Sequence, residues 1–129
     1  MTEIETIEVT EVKGKTKIFS SVDEEGQVII HCKYVNDTGD FAGVRIWKST
    51  VLLDENSDHE SELLHAEGVT YYPQWTAVPP NKTHRFTLVF SRLPKSCTMF
   101  HFYERIPQPG GFMVANIKRN NSDVYSIEL

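Results

Sequence analysis

The chain has 129 residues, a formal net charge of −5, 40% hydrophobic and 24% charged residues, the proportions of a soluble globular domain. This length supports one domain, residues 1–129, burying about two-thirds of the surface its unfolded form exposes, so no metal or disulfide staple is required. The acidic balance works against a nucleic-acid partner and against a polybasic membrane contact, both of which call for clustered Lys and Arg, and apolar runs of a few residues exclude a transmembrane helix.

Met1 to Val12 is acidic and alternating, not cationic and then apolar, so the chain as written reads as cytoplasmic; removal of a leader would make it an exported protein. Two-residue periodicity dominates throughout, and long helical stripes are missing. Strands are expected over Thr6–Val12 and Lys15–Ser21, with turns at Gly14 and at Asp23–Gly26. Gln27–Asn36 follows as a half-buried strand, its inward set being Val28, Ile30, Cys32 and Tyr34. After the loop Asn36–Asp40, Gly43–Leu53 reads as one long strand, bent or bulged near Lys48. Asp54–Glu62 has no apolar anchor and is expected to be a mobile excursion.

Leu63–Tyr72 reads equally as a short helical turn or a strand, and Trp75–Val78, after Pro73, as a short edge strand. Beyond the Pro79-Pro80-Asn81 turn, Thr83–Ser91 directs Phe86, Leu88 and Phe90 inward, and Thr98–Glu104 does the same with Phe100 and Phe102. Phe112–Ile117 and Val124–Leu129 are expected to pair with each other across Lys118–Asp123. The sum is an all-β chain of eight or nine strands, read as an antiparallel β-sandwich with a closed barrel as the second architecture.

No motif carries chemistry. The five histidines show neither HxxxH nor HExxH spacing, and Cys32 and Cys97 do not form a CxxC pair. Asp54, Asn56, Asp58 and Glu60 alternate as calcium ligands do, but an EF-hand loop would need Gly and Glu where His59 and His65 stand. There is no GxSxG nucleophile signature and no phosphate-cradling glycine loop. Acid pairs such as Glu62 with Glu67 or Glu104 with Asp123 carry meaning only if buried together. The Asn-x-Ser/Thr triplets at Asn36, Asn81 and Asn120 are read as polar turns. No cofactor or metal site is expected, and no enzymatic activity.

Two resemblances bear on the fold. The spacing Cys32, Trp47, Cys97 resembles the Cys…Trp…Cys framework of immunoglobulin domains, although Lys95 stands where those domains place a corner tyrosine. That resemblance implies a disulfide; the residues themselves favour two independent thiols, since Cys97 sits at a strand start just after Leu93-Pro94. The run Phe86-Thr87-Leu88-Val89-Phe90-Ser91-Arg92-Leu93-Pro94-Lys95, followed by Phe100, Phe102 and Glu104, resembles bacterial immunoglobulin-like, telokin-like domains, and Ile117–Asn120 with Asp123–Tyr125 resembles their closing hairpin. It implies an immunoglobulin-like β-sandwich and no catalytic residue.

The candidate contact residues are Tyr71, Tyr72 and Trp75. Consecutive tyrosines on a strand point to opposite faces, so one of them is directed outward, and Pro73 places the segment at a sheet edge. These rings either close the core or form an exposed aromatic edge of the kind found at protein and glycan contacts. The expected function is therefore a non-enzymatic binding or interaction module with a protein partner or a second copy of itself. The alternatives are a phage- or mobile-element-type accessory protein that captures a small ligand in a pocket at one end of the sandwich, and a small hydrolase built on a buried His–acid pair.

Overall fold

The computed structural model describes residues 26–129, so the strands expected over 6–12 and 15–21 lie outside the described residues. Every regular element among those described is a strand: β1 (Val28–Val35), β2 (Ala42–Val44), β3 (Thr50–Asp54), β4 (Glu60–Glu67), β5 (Thr76–Val78), β6 (Thr83–Phe90), β7 (Met99–Glu104), β8 (Met113–Lys118) and β9 (Val124–Glu128). Seven form one sheet in the order β8-β7-β3-β4-β6-β1-β9, and β2 and β5 form a separate two-stranded ribbon.

The alternation legible in the sequence fixes the register. Val28, Ile30 and Cys32 of β1 sit directly opposite Phe90, Leu88 and Phe86 of β6, so both apolar sets share one face. Toward the β8 end of the sheet, Leu52 of β3 pairs with Phe102 of β7. Phe90, Phe100, Phe102, Ile30, Leu52 and Leu88 are fully buried, and the Phe90 and Phe102 rings meet edge-to-face. Tyr34, expected inside, is only partly buried and packs against the rim of this cluster.

The sheet is curled, for a reason that follows from chain length. β8 and β9 occupy opposite ends of the seven-strand order, about 29 Å apart in a flat sheet at about 4.8 Å per strand. From Lys118 to Val124 the chain can span at most about 20 Å at 3.3–3.6 Å per residue. The sheet must bend to bring its two edges together, and Phe100 of β7 accordingly touches Tyr125 of β9, ring centroids 4.9 Å apart. The product is nearly barrel-shaped, with no strand pairing between β8 and β9.

This corrects two expectations. The sheet is mixed and not wholly antiparallel, because β9 runs parallel to β1. The terminal strands also do not pair with each other: β8 adds to β7, and the connection carries β9 across to the far edge. Arg119 holds that connection. Its guanidinium donates to both carboxylate oxygens of Asp123, at 2.6 and 3.0 Å, and to the Pro94 and Cys97 carbonyls. Asp123 also accepts the Tyr125 hydroxyl, whose oxygen in turn accepts the Asn120 N–H.

The segment Gly43–Leu53 is two strands, not one. After β2 the chain turns at Trp47–Thr50, where Thr50 donates both its N–H and its hydroxyl to the Trp47 carbonyl. Asp54–Glu62 is not an open excursion: it holds the end of β3, a tight turn at residues 55–59 and the start of β4. What anchors it is polar: Asp54 is 5% exposed and accepts from the Asn56 N–H and the Ser57 hydroxyl, while Ser61 is fully buried and donates to the Arg92 carbonyl. Asn36, also buried, reaches the carbonyls of Asp40, Val78 and Pro79 and so ties the end of β1 to the ribbon. Val44 and Val78 then deliver the ribbon's apolar face to the common core.

Replacing Phe90 by Ala removes a fully buried ring and should cost about 3–5 kcal/mol, lowering the melting temperature by roughly ten degrees or more. Calorimetry measures this; melting near the parent temperature would contradict the register.

The Arg119 clamp makes a second prediction. Arg119→Ala should cost about 2–3 kcal/mol in urea unfolding, because it leaves a partly buried carboxylate and two carbonyls without their donor. Burial raises the Asp123 carboxyl, but the hydrogen bonds from Arg119 and Tyr125 outweigh it and hold it below the usual aspartate value of 3.8. The stability it contributes is therefore complete above 3.8 and lost as pH falls through the depressed folded value. Asp123→Asn should abolish that part of the acid sensitivity.

Candidate functional site

The three aromatic residues singled out in the sequence fall into two environments. Tyr71 forms an isolated parallel bridge with Ile46 and packs against the core. Tyr72 and Trp75 turn outward, 47% and 60% exposed. Tyr71 thus belongs to the core boundary, whereas Tyr72 and Trp75 belong to the surface.

Arg45, immediately after β2, organises these rings. Its guanidinium lies 3.7 Å from the Trp75 ring centre and 4.7 Å from that of Tyr72, and Nη1 donates to the Pro73 carbonyl at 3.1 Å. The other partner of Tyr72 is Trp47, stacked at 3.8 Å. Trp75 lies so close to β2 that a Cβ on Gly43 would come within 2.8 Å of its ring, so only glycine admits the indole there.

Beneath this cluster opens a pocket of about 310 Å³ whose walls include Tyr34, Trp47, Trp75 and Phe112, with Arg45 and Glu104 as its charged groups. Glu104 occupies the third inward position of β7 after Phe100 and Phe102 and is 4% exposed. Its Oε2 accepts the Trp47 N–H and its Oε1 the Phe112 N–H, at 3.1 and 3.2 Å. Gly111 lets the 105–112 loop fold back over it, since a Cβ there would collide with the Glu104 carbonyl. Burial pushes the Glu104 carboxyl above the usual glutamate value; the two backbone donors, and Arg45 at longer range, offset this only in part.

A larger groove, about 750 Å³, crosses β9, β1, β6 and β4. Its lining is mostly charged or polar, including Lys33, Arg85, Glu67 and Glu128, and Lys33 pairs with Glu128 at 3.7 Å. It lacks the open aromatic walls and buried acid of the smaller pocket, which is therefore the stronger candidate.

The remaining candidate groups disperse. Cys32 and Cys97 are separate buried thiols and not the disulfide implied by the immunoglobulin framework; burial pushes the Cys32 thiol up to about 12, far from a reactive thiolate. Trp47, instead of packing on a disulfide, stacks on Tyr72. Asp54 is spent on its own turn and Glu60 pairs with Arg105, and no three His, Cys, Asp or Glu among the described residues could hold a metal ion. His59 Nε2 and Ser61 Oγ are 2.9 Å apart, but the Ser61 hydroxyl donates to the Arg92 carbonyl and no described carboxylate hydrogen-bonds the ring. Glu104 and Asp123 have entirely separate partners.

Arg45 and Glu104 are the site residues that sequence reasoning missed. Glu104 had a signal, because the two-residue period that buries Phe100 and Phe102 extends to it. Arg45 had none, since its rings come from residues 27 and 30 positions away.

Compared with protein-family models, curated proteins and solved structures, the chain matches none. Among the described residues no helix is long and apolar enough to cross a membrane.

Because Glu104 is raised above 4.5, its contribution to stability is fully present below that pH and lost as pH rises through the folded value. Glu104→Gln should flatten this decline, measured as urea midpoints from below pH 4.5 to neutrality. An unchanged profile would mean that the carboxyl titrates normally.

Proposed function

We propose that this chain is a non-enzymatic binding module whose contact surface is the arginine–aromatic edge of the β2–β5 ribbon. The observation that carries this reading is the pair Tyr72 and Trp75, held open to solvent while bracing Arg45 between them. Large aromatics and arginine supply much of the energy at interface centres, and ring stacking holds these side chains in place before any partner arrives. Phe41, 67% exposed and just ahead of β2, is a further exposed ring at the opposite end of the ribbon. The partner is a protein or a second copy of the chain.

The pocket beneath the edge favours a second reading, capture of a small ligand, because exposed rings and a buried acid converge on one concave site. We propose, as the finer reading of the fold, a telokin-like immunoglobulin sandwich. Two aromatic strands, β6 and β7, flank the Leu93-Pro94 turn as that resemblance expects, but β3 and β4 lie between them in the sheet, and the parallel β1–β9 pair also weighs against it.

The test is to replace Trp75, and separately Tyr72, with Ala, and to follow oligomeric mass and partner capture beside unfolding. Both side chains are substantially exposed, so each variant should stay folded, within about 1 kcal/mol of the parent, and lose association. Unfolding of both variants would assign the rings to the core and remove the interface.

A further inference from the structure

We infer that the pocket between Trp47, Trp75 and Glu104 is a saccharide site, taking one neutral pyranose unit of a glycan. This deepens the second reading given above, capture of a small ligand in this pocket, and rests on it. Size comes first: at about 310 Å³ the pocket lies at the small end of ligand sites, which run from about 300 to 1,000 Å³, so it admits a compact molecule or one unit of a longer chain.

Charge narrows the class. The two charged groups of the pocket have opposite sign, Glu104 buried and Arg45 beside the Trp75 ring. A cationic guest would meet the guanidinium already seated among the aromatic rings, and an anionic guest would meet a buried carboxylate. A neutral guest that both donates and accepts hydrogen bonds meets neither penalty.

The polar inventory fits hydroxyl groups. A carboxylate offers about four acceptor positions, and backbone donors take one on each oxygen of Glu104, which leaves acceptor capacity for a ligand hydroxyl. Arg45 spends one N–H on the Pro73 carbonyl, and its remaining donors make no hydrogen bond to another described residue. Gln108, another lining residue, adds a carboxamide that both donates and accepts. A pyranose has an apolar C–H face that lies against an indole ring, and neighbouring hydroxyls that match planar carboxylate, amide and guanidinium groups. A flat nucleobase would satisfy the rings but would leave much of this hydrogen-bonding rim unused.

The chain contains only two tryptophans, and both line this pocket, so intrinsic tryptophan fluorescence reports on the site. The experiment titrates the full chain with glucose, galactose, mannose, their N-acetylhexosamines and the corresponding disaccharides at millimolar concentrations. Tetramethylammonium, sulfate and adenosine serve as cation, anion and nucleobase probes. A saturable change with at least one saccharide and none with the other three is the expected result. Trp75→Ala and Gln108→Ala should each weaken it about tenfold or more, Trp47 remaining as the reporter in the first. Both positions are exposed, so folding is checked but not expected to fail. No response to any saccharide, a response only to one of the other probes, or full saccharide affinity in both variants would overturn the assignment. Saccharide silence with Trp75-dependent association intact removes the sugar alone; saccharide silence together with association unchanged in Trp75→Ala removes the binding-module reading as well.

Discussion

The structure depends on a short crossing. Between β8 and β9 the chain must pass from one edge of a seven-stranded sheet to the other in a handful of residues, and the Arg119–Asp123 pair makes this passage rigid. The same guanidinium also holds the Pro94 and Cys97 carbonyls of the β6–β7 turn, so one side chain links the turn that starts β7 to the connection that starts β9. The curl of the sheet, the Phe100–Tyr125 contact and the parallel seating of β9 on β1 all follow. Bidentate geometry matters here, because a lysine could not bond a carboxylate and two carbonyls from one planar fork.

Curling the sheet has consequences at the ribbon. The inward line of β7 runs from Phe100 through Phe102 to Glu104, passing from the packed interior toward the opening where the ribbon sits. A glutamate at that position would be costly in the middle of the core, and burial does raise its carboxyl. Backbone donors from two separate loops, at Trp47 and Phe112, make it tolerable and fasten both loops to the sheet. The acid therefore has a structural role and at the same time supplies the polar floor of the pocket.

Strand edges are handled in the same local terms. β8 is interrupted where Phe100 and Phe102 face Ile117 and Val114 with two residues between, and Asn116 takes a left-handed conformation, φ 61°, as its N–H reaches His101 Nδ1. A bulge of this kind twists an edge away from further pairing. The ribbon edge carries no such bulge and instead exposes aromatic rings, which is the feature behind the proposed interaction surface.

The sequence alone determined the all-β class, the inward faces of β1, β6 and β7, the outward turn of one of the two adjacent tyrosines, and the turn roles of Asn81 and Asn120. Each is a local property: a two-residue period, a breaker or a short polar side chain acts within a few residues of itself. Tertiary structure decided the rest. The parallel partner of β9, the break inside Gly43–Leu53, the anchored turn after Asp54 and the meeting of Arg45 with Trp75 and Tyr72 all join residues far apart in the chain, or depend on polar anchors that hydrophobic patterning does not register. Periodicity says which face of a strand is apolar. Which strand that face will lie beside is set by how far the connections can reach and by which buried polar groups can find partners when the sheet closes.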